Sequence, residues 1–394
     1  MMTSLRPDHV SVPRAAPAAL SAAAMVVLAV LGLATAAVLA PAGAQAQAAP
    51  LQPPGKKIFF GVTDTGTEEG FKGYARAVGR YPAVIQTFHP WGNSLDKSLP
   101  RWQALRARPM LHINTMNDEG EELIKPRGIA FGGGDEYLLY LNDILSETGT
   151  LAYIRPLGEP NRCLNAYAAL DCLGNRRSNH YAHRWYKKAF QRMYLILHGG
   201  MPQARLDRRL GRLGLPPLKP RQTAVPRVLP KAPIAVIWST LPGGSPKARG
   251  NFPGDFWPGA RYTDWVGTDF YSKYPHWRDL NRFYRNFARK RRMPLALTEW
   301  GIWGADAPRF TRQLFTWMER RHLAKMMVYY QDFGESNEFR IQNYPDSRAV
   351  ITRRINSRRY PQRAPNPPRA PRPEPETGGM TPVTAQRAAI RRGR

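Results

Sequence analysis

Leu295-Ala296-Leu297-Thr298-Glu299-Trp300-Gly301 carries a short apolar run straight into a carboxylate, an aromatic ring and a glycine. A run of this kind, bounded by Pro and Gly, reads as a buried strand. Glu299 stands where that strand ends. A carboxylate at the exit of a buried parallel strand is costly unless it faces a solvated cleft. Ala152-Tyr153-Ile154-Arg155-Pro156-Leu157-Gly158-Glu159-Pro160-Asn161 has the same shape and puts Glu159 at a second strand exit. Two such glutamates, far apart in sequence, converge only if their strands share one sheet or barrel.

Outward from these two stretches the same alternation repeats. Strand-like runs occur at Lys57–Val62, Ala83–Phe88, Pro109–Asn114, the run ending at Glu159, Ile234–Trp238, Trp265–Tyr271, the run ending at Glu299, and Lys325–Tyr330. Helix-like segments separate them: 71–78, one with Leu99, Trp102 and Leu105, 136–146, 178–197, one with Leu280, Phe283, Tyr284 and Phe287, and 310–321. Eight strands alternating with helices predict an α/β fold, a (β/α)8 TIM barrel, whose active site lies at the carboxyl ends of the strands. Residues 51–356 are assigned to this single domain.

The flanks read differently. Residues 1–50 hold Arg6 and Arg14, then a charge-free apolar stretch from Ala18 to Leu39, then small-x-small sites. That is the layout of a signal peptide, with an uncleaved membrane anchor as the alternative. Either way the domain is expected to be secreted or extracytoplasmic. Residues 199–231 read as a basic, mostly surface insert. Residues 357–394 read as a disordered Arg/Pro-rich tail, a candidate for attachment to an anionic cell wall or polymer. The formal charge of +29 is assigned mainly to insert and tail, and no nucleic-acid motif is present to make nucleic acid a specific partner. The chain has two cysteines, Cys163 and Cys172. They are expected to pair in an exported protein and to stay free in a cytosolic one.

Two carboxyl groups at one barrel mouth suit glycosidic cleavage, where one protonates the leaving oxygen and the other meets the oxocarbenium-like centre. Arg155-Pro156-Leu157-Gly158-Glu159-Pro160-Asn161 resembles the acid/base segment of glycoside hydrolase family 26, the family of many β-mannanases. Phe256 to Tyr271, with Trp265-Val266-Gly267-Thr268-Asp269-Phe270-Tyr271, resembles that family's sixth strand, and Leu297-Thr298-Glu299-Trp300-Gly301 its nucleophile strand. The resemblance implies a secreted retaining endo-β-glycosidase acting on a β-linked polysaccharide. Glu159 would be the acid/base, Glu299 the nucleophile, and Tyr271 a donor to the nucleophile. Two positions depart from the family pattern. Gly158 stands where the family usually has histidine, and strand eight ends in Tyr329-Tyr330 where tryptophan is usual, so Tyr330 is expected to serve as the sugar platform. Gly158 motivates an alternative reading: a catalytically impaired barrel that binds an extracellular or cell-wall glycan.

Other candidates follow from position. Arg155 and Asn161 flank Glu159 and are assigned to substrate binding with Tyr271. His89 and His112 end strands two and three and are expected to meet sugar hydroxyls. Trp91, Trp238, Trp300 and Trp303 lie at strand ends or in the loops after them, with Trp91 and above all Trp303 as stacking platforms. Gly132-Gly133-Gly134 is read as a turn, and His180 and His183 as an exposed helix face. No metal and no other cofactor is expected, and a monomer is the default.

Overall fold

The structure, a computed structural model, describes residues 49–220, 222–331 and 338–364. The signal or anchor segment through residue 48 and the tail from 365 lie outside the described residues. In chain order the strands are β1 (Phe59–Thr63), β2 (Val84–His89), β3 (Arg108–Ile113), β4 (Ala152–Pro156), β5 (Gly199–Pro202), β6 (Val228–Lys231), β7 (Ile234–Thr240), β8 (Trp265–Tyr271), β9 (Leu295–Gly301) and β10 (Ala324–Tyr329). Eight of them close a parallel barrel in the order β1-β2-β3-β4-β7-β8-β9-β10, and β10 returns to β1. The expected (β/α)8 barrel is the observed fold. The sequence reading lacked β5 and β6, an antiparallel ribbon outside the barrel.

Alternation along each strand divides the barrel into layers. Phe59, Val84, Met110, Tyr153, Ala235, Ile237, Trp265, Ala296, Met326 and Val328 fill the lower interior and are fully buried. Leu51 closes the floor, with its carbonyl accepting from Tyr153 Oη at 2.6 Å, while Trp265 Nε1 donates to Pro50 O at 2.8 Å. One step further along the same strands the inward residues turn polar: Gln86, His112, Arg155, Ser239 and Asp269, all buried. The mouth of the barrel is therefore built of charge on a hydrophobic base.

Two of the boundary assignments change. The 199–231 insert is not a surface excursion, because Leu206, Leu210, Leu215, Leu218 and Leu229 are all buried. Beneath it Arg192 pairs with Asp135, both side chains fully buried, and Arg192 Nη1 donates to Pro216 O at 2.8 Å. The domain also continues beyond Asn356. Ile58 N donates to Arg359 O at 2.9 Å, and Tyr360 is fully buried with its hydroxyl 3.0 Å from Glu319 Oε1. Nor does the charge gather in insert and tail: residues 49–364 hold 50 of the 58 Lys and Arg and 26 of the 29 Asp and Glu.

Cutting the chain after Ala364 should leave thermal stability unchanged. Cutting it after Asn356 removes Tyr360 and should cost about 3–5 kcal/mol, the usual scale for loss of a buried large ring. Calorimetry of the two truncations checks this.

Candidate active site

Arg155 projects from β4 into the barrel and is fully buried. Its Nη1 donates to Glu299 Oε1 and to Gln86 Oε1 at 3.4 Å, its Nη2 to Asp269 Oδ2, and its Nε to Ser239 Oγ at 2.7 Å. One guanidinium thus ties four other strands to β4. Tyr271 Oη donates to Glu299 Oε2 at 2.8 Å, so both oxygens of Glu299 are held. Thr298 Oγ1 donates to Asp269 Oδ1 at 2.5 Å.

Glu299 reaches this position through an irregularity in β9. Against β8, Thr268 pairs with Leu297 but Asp269 pairs with Glu299. Against β10, Met327 pairs with Leu297 but Tyr329 with Trp300. Both neighbours meet one extra residue in β9, which is a β-bulge. Without it the period of two would put Thr298 inward and Glu299 outward. The bulge re-aims Glu299 into the mouth and sends Trp300 into the outer core.

Glu159 is placed by strain. Leu157 and Glu159 have φ of 48° and 52°, left-handed values that non-glycine residues adopt at a cost of about 1–3 kcal/mol each. Hydrogen bonds hold the turn. Leu157 N donates to Ile113 O at 2.8 Å and Glu159 N to Ser239 O at 3.1 Å. Tyr167 Oη donates to Gly158 O at 2.5 Å, and Asn165 Nδ2 to Glu159 O at 2.8 Å. Arg162 Nη1 lies 3.2 Å from Glu159 Oε2. A Cβ on residue 158 would sit 2.6 Å from Arg155 Nε. Glycine is required there by the guanidinium that fills the space.

The electrostatics follow from burial. Glu299 is pushed above the usual carboxylate range by burial and by Asp269, against the pull of Arg155 and Tyr271. Asp269 is pushed up to about 8, first by burial and further by the neighbouring Glu159, while Arg155 and Thr298 pull it down.

The remaining candidates divide. Tyr271, Trp303 and Tyr330 are half-buried at the mouth. Trp303 packs against Tyr274 at 5.5 Å and Phe339 at 5.2 Å, and Tyr330 against Phe339 at 5.0 Å and Phe88 at 5.9 Å. His112 is buried and contacts Phe88, with Nε2 3.3 Å from Tyr167 Oη, so it braces the Glu159 turn. Its imidazole is held well below its ordinary range by burial and by Arg155 and Arg162. Asn161 does not face the mouth. It is fully buried and clamps Leu241 through paired side-chain bonds of 2.8 and 2.9 Å. Arg155, fully buried, positions carboxylates rather than touching a ligand. His89 and Trp91 pack on Tyr137, a residue of the helix Asp135–Glu147, and Trp238 and Trp300 are fully buried in the outer core. Cys163 and Cys172 form a disulfide in the loop after Glu159. The sequence reading assigned no role to Asp269, Arg162, Phe88 or Phe339. For Asp269 a signal existed, since it stands two residues before Tyr271 on one strand.

Gly158→Ala should lower stability by about 1–3 kcal/mol, because the methyl displaces Arg155. In an Arg155→Ala background the same change should cost far less. A double-mutant cycle by chemical denaturation measures this coupling.

No known family profile matches the chain, and no curated protein matches it. Among solved structures it is similar to a glycoside hydrolase family 26 β-mannanase from Bacteroides ovatus, with 17% identity over 77% of this chain and 90% of that one and a TM-score of 0.49. It is similar to a modular endo-β-1,4-mannanase from Cellulomonas fimi, with 13% identity over 79% and 73% and a TM-score of 0.49. It is also similar to a Bacillus subtilis mannanase, with 14% identity over 76% and 87% and a TM-score of 0.48.

Proposed function

We propose that this barrel is a retaining endo-β-glycosidase of mannanase type, working by double displacement with Glu299 as nucleophile and Glu159 as acid/base. The observation that carries the reading is the convergence of two strand-end glutamates, 4% and 6% exposed, on one buried charge cluster at the barrel mouth. Arg155 and Tyr271 fix both oxygens of Glu299, which orients a carboxylate for attack on an anomeric carbon. Departure of the leaving oxygen needs a proton on the other side. Asp269, raised to about 8 beside Glu159, keeps a proton in that corner at neutral pH. Asp269 is itself buried beside Arg155, so the glutamate is the group that meets the substrate. Half-buried rings at the rim, Trp303 and Tyr330 with Phe88, offer stacking faces for sugars. The Cys163–Cys172 bond supports work outside the cytoplasm.

Wild-type protein should release new reducing ends from one member of a panel of β-mannans, β-glucans, xylans and acidic exopolysaccharides. Glu299→Ala should release none while keeping its fold by circular dichroism. Glu159→Gln should slow turnover about 10²–10⁴-fold. Binding of a glycan by wild type without any product would favour the non-cleaving reading instead.

The raised Asp269 gives a pH signature. Its carboxyl is protonated below about 8 and loses that proton above, so the rate should fall as pH rises through about 8. In the unfolded chain the same group titrates near 4, so folded protein holds the extra proton between about 4 and 8, and unfolding free energy should decline across that window as pH rises. Asp269→Asn should remove the decline and displace the alkaline limb of the rate profile.

A further inference from the structure

The barrel's charge is lopsided. Residues 49–150 hold 11 Lys and Arg against 12 Asp and Glu, whereas residues 151–364 hold 39 against 14. Within the second part the densest feature lies between β8 and β9, where the chain runs from the mouth at Tyr271 back to the base at Leu295. The helix Trp277–Phe283 and its continuation Tyr284–Arg289 bury Leu280, Phe283, Tyr284, Phe287 and Ala288 against the barrel. The other face carries Arg278, Arg282, Arg285 and Arg289, spaced four, three and four residues apart, the left-handed turn that follows carries Arg292, and every one is exposed. This is the spacing of a single helical stripe.

Acidic neighbours do not neutralise the stripe. Asp279 is the one acid in this stretch, is 3% exposed, and is taken by Lys247 at 2.8 Å and by Arg282. Among the described residues, Arg278, Arg285, Arg289 and Arg292 enter no salt bridge. Like charges at these spacings destabilise a helix, so the stripe does not serve the fold. Its upper end meets the mouth. Exposed Lys273 lies over the Trp303 ring at 4.6 Å, one loop before Arg278. Between Arg278 and Arg292 the rings of Phe283, Tyr284 and Phe287 are buried, so this row of arginines has no interleaved stacking platform of the kind used for single-stranded nucleic acid, and the exposed Tyr274 stands before it at the mouth.

We propose that this arginine face is a binding track for a linear, carboxylate-bearing polysaccharide, leading from the barrel base to the mouth, and that the substrate of the proposed glycosidase is accordingly an anionic β-glycan. The substrate assignment rests on the glycosidase reading; the track does not. Planar guanidinium groups pair with carboxylates in two-point fashion, and a row of them fits repeated uronate units better than one isolated anion.

The test is binding of polymannuronate to the full chain carrying Glu299→Ala, which cannot turn it over, with neutral galactomannan and single-stranded DNA as comparators. Polymannuronate should bind more tightly than either, and more weakly as salt rises. Arg285→Glu/Arg289→Glu/Arg292→Glu should weaken that binding at least about tenfold, while the three Lys substitutions, which keep the charge and lose the two-point fork, should weaken it measurably but less. With Glu299 intact, the charge-reversed protein should keep wild-type turnover on an oligosaccharide of the cleaved glycan too short to reach from the mouth to Arg285. Should charge reversal impair folding, Arg→Gln at the same positions replaces it. Equal polymannuronate binding by the charge-removed protein overturns the track, and so does tighter binding of DNA than of polymannuronate. Track binding by a wild-type protein that cleaves no glycan sinks the glycosidase reading and leaves the track standing. Cleavage of a neutral glycan without polymannuronate binding does the reverse.

Discussion

The guanidinium of Arg155 holds the upper half of the barrel together. It is fully buried, and its partners come from β2, β7, β8 and β9. A buried charge of this kind is tolerated only when it is paired and hydrogen-bonded, and removing one partner of such a set strands the others at a cost of about 3–5 kcal/mol. The dependence is mutual. Asp269 and Glu299 are buried carboxyl groups on adjacent strands, Arg155 is the cation between them, and the proton that Asp269 keeps at neutral pH spares the site one buried anion. Against hydrophobic residues of similar volume such a cluster is not a source of stability. The hydrophobic layer from Phe59 to Val328 carries the fold, and the charged layer above it exists for what happens at the mouth.

Both glutamates reach the mouth through local departures from regular structure. Glu299 needs an extra residue in β9 and Glu159 needs a turn with two left-handed non-glycine residues. Each departure is held by neighbours: the bulge by Thr298 on Asp269 and Tyr271 on Glu299, the turn by Tyr167, Asn165 and Ser239. His112 supports Tyr167 from below and is kept neutral by burial and nearby arginines, so it adds no charge to a crowded site. The disulfide closes the loop on the far side of Glu159 and limits the freedom of that loop in the unfolded chain.

Much of this was legible from residue order. Strands buried on both faces read as apolar runs, so all eight barrel strands and both glutamates were visible. What escaped has physical reasons. Trp238 and Trp300 sit at strand ends, yet alternation turns them outward into the core beneath the helices. For Trp300 the turn depends on a bulge that leaves no mark in composition. Asn161 follows Glu159 closely in sequence, but the strained turn directs it into the loop at Leu241. The 199–231 insert looked like surface because its eight Lys and Arg outnumber its six leucines. Spacing was the better guide, since Leu206 and Leu210 are four apart on one helix and both are buried.

Gly158 shows how a departure from a family motif changes meaning once its surroundings are known. In sequence it is a missing side chain beside the candidate acid. In the structure the space where that side chain would begin is filled by Arg155, 2.6 Å from the nearest Cβ position. Glycine at 158 and arginine at 155 are therefore one arrangement, and neither residue is independently replaceable. A larger residue at 158 requires the guanidinium to move, and moving it unpairs Asp269 and Glu299. The space beside Glu159 is filled by a cation that enters from Arg155, three residues before Gly158. The mouth keeps a charged group at that point, and its ties run to Glu299 and Asp269.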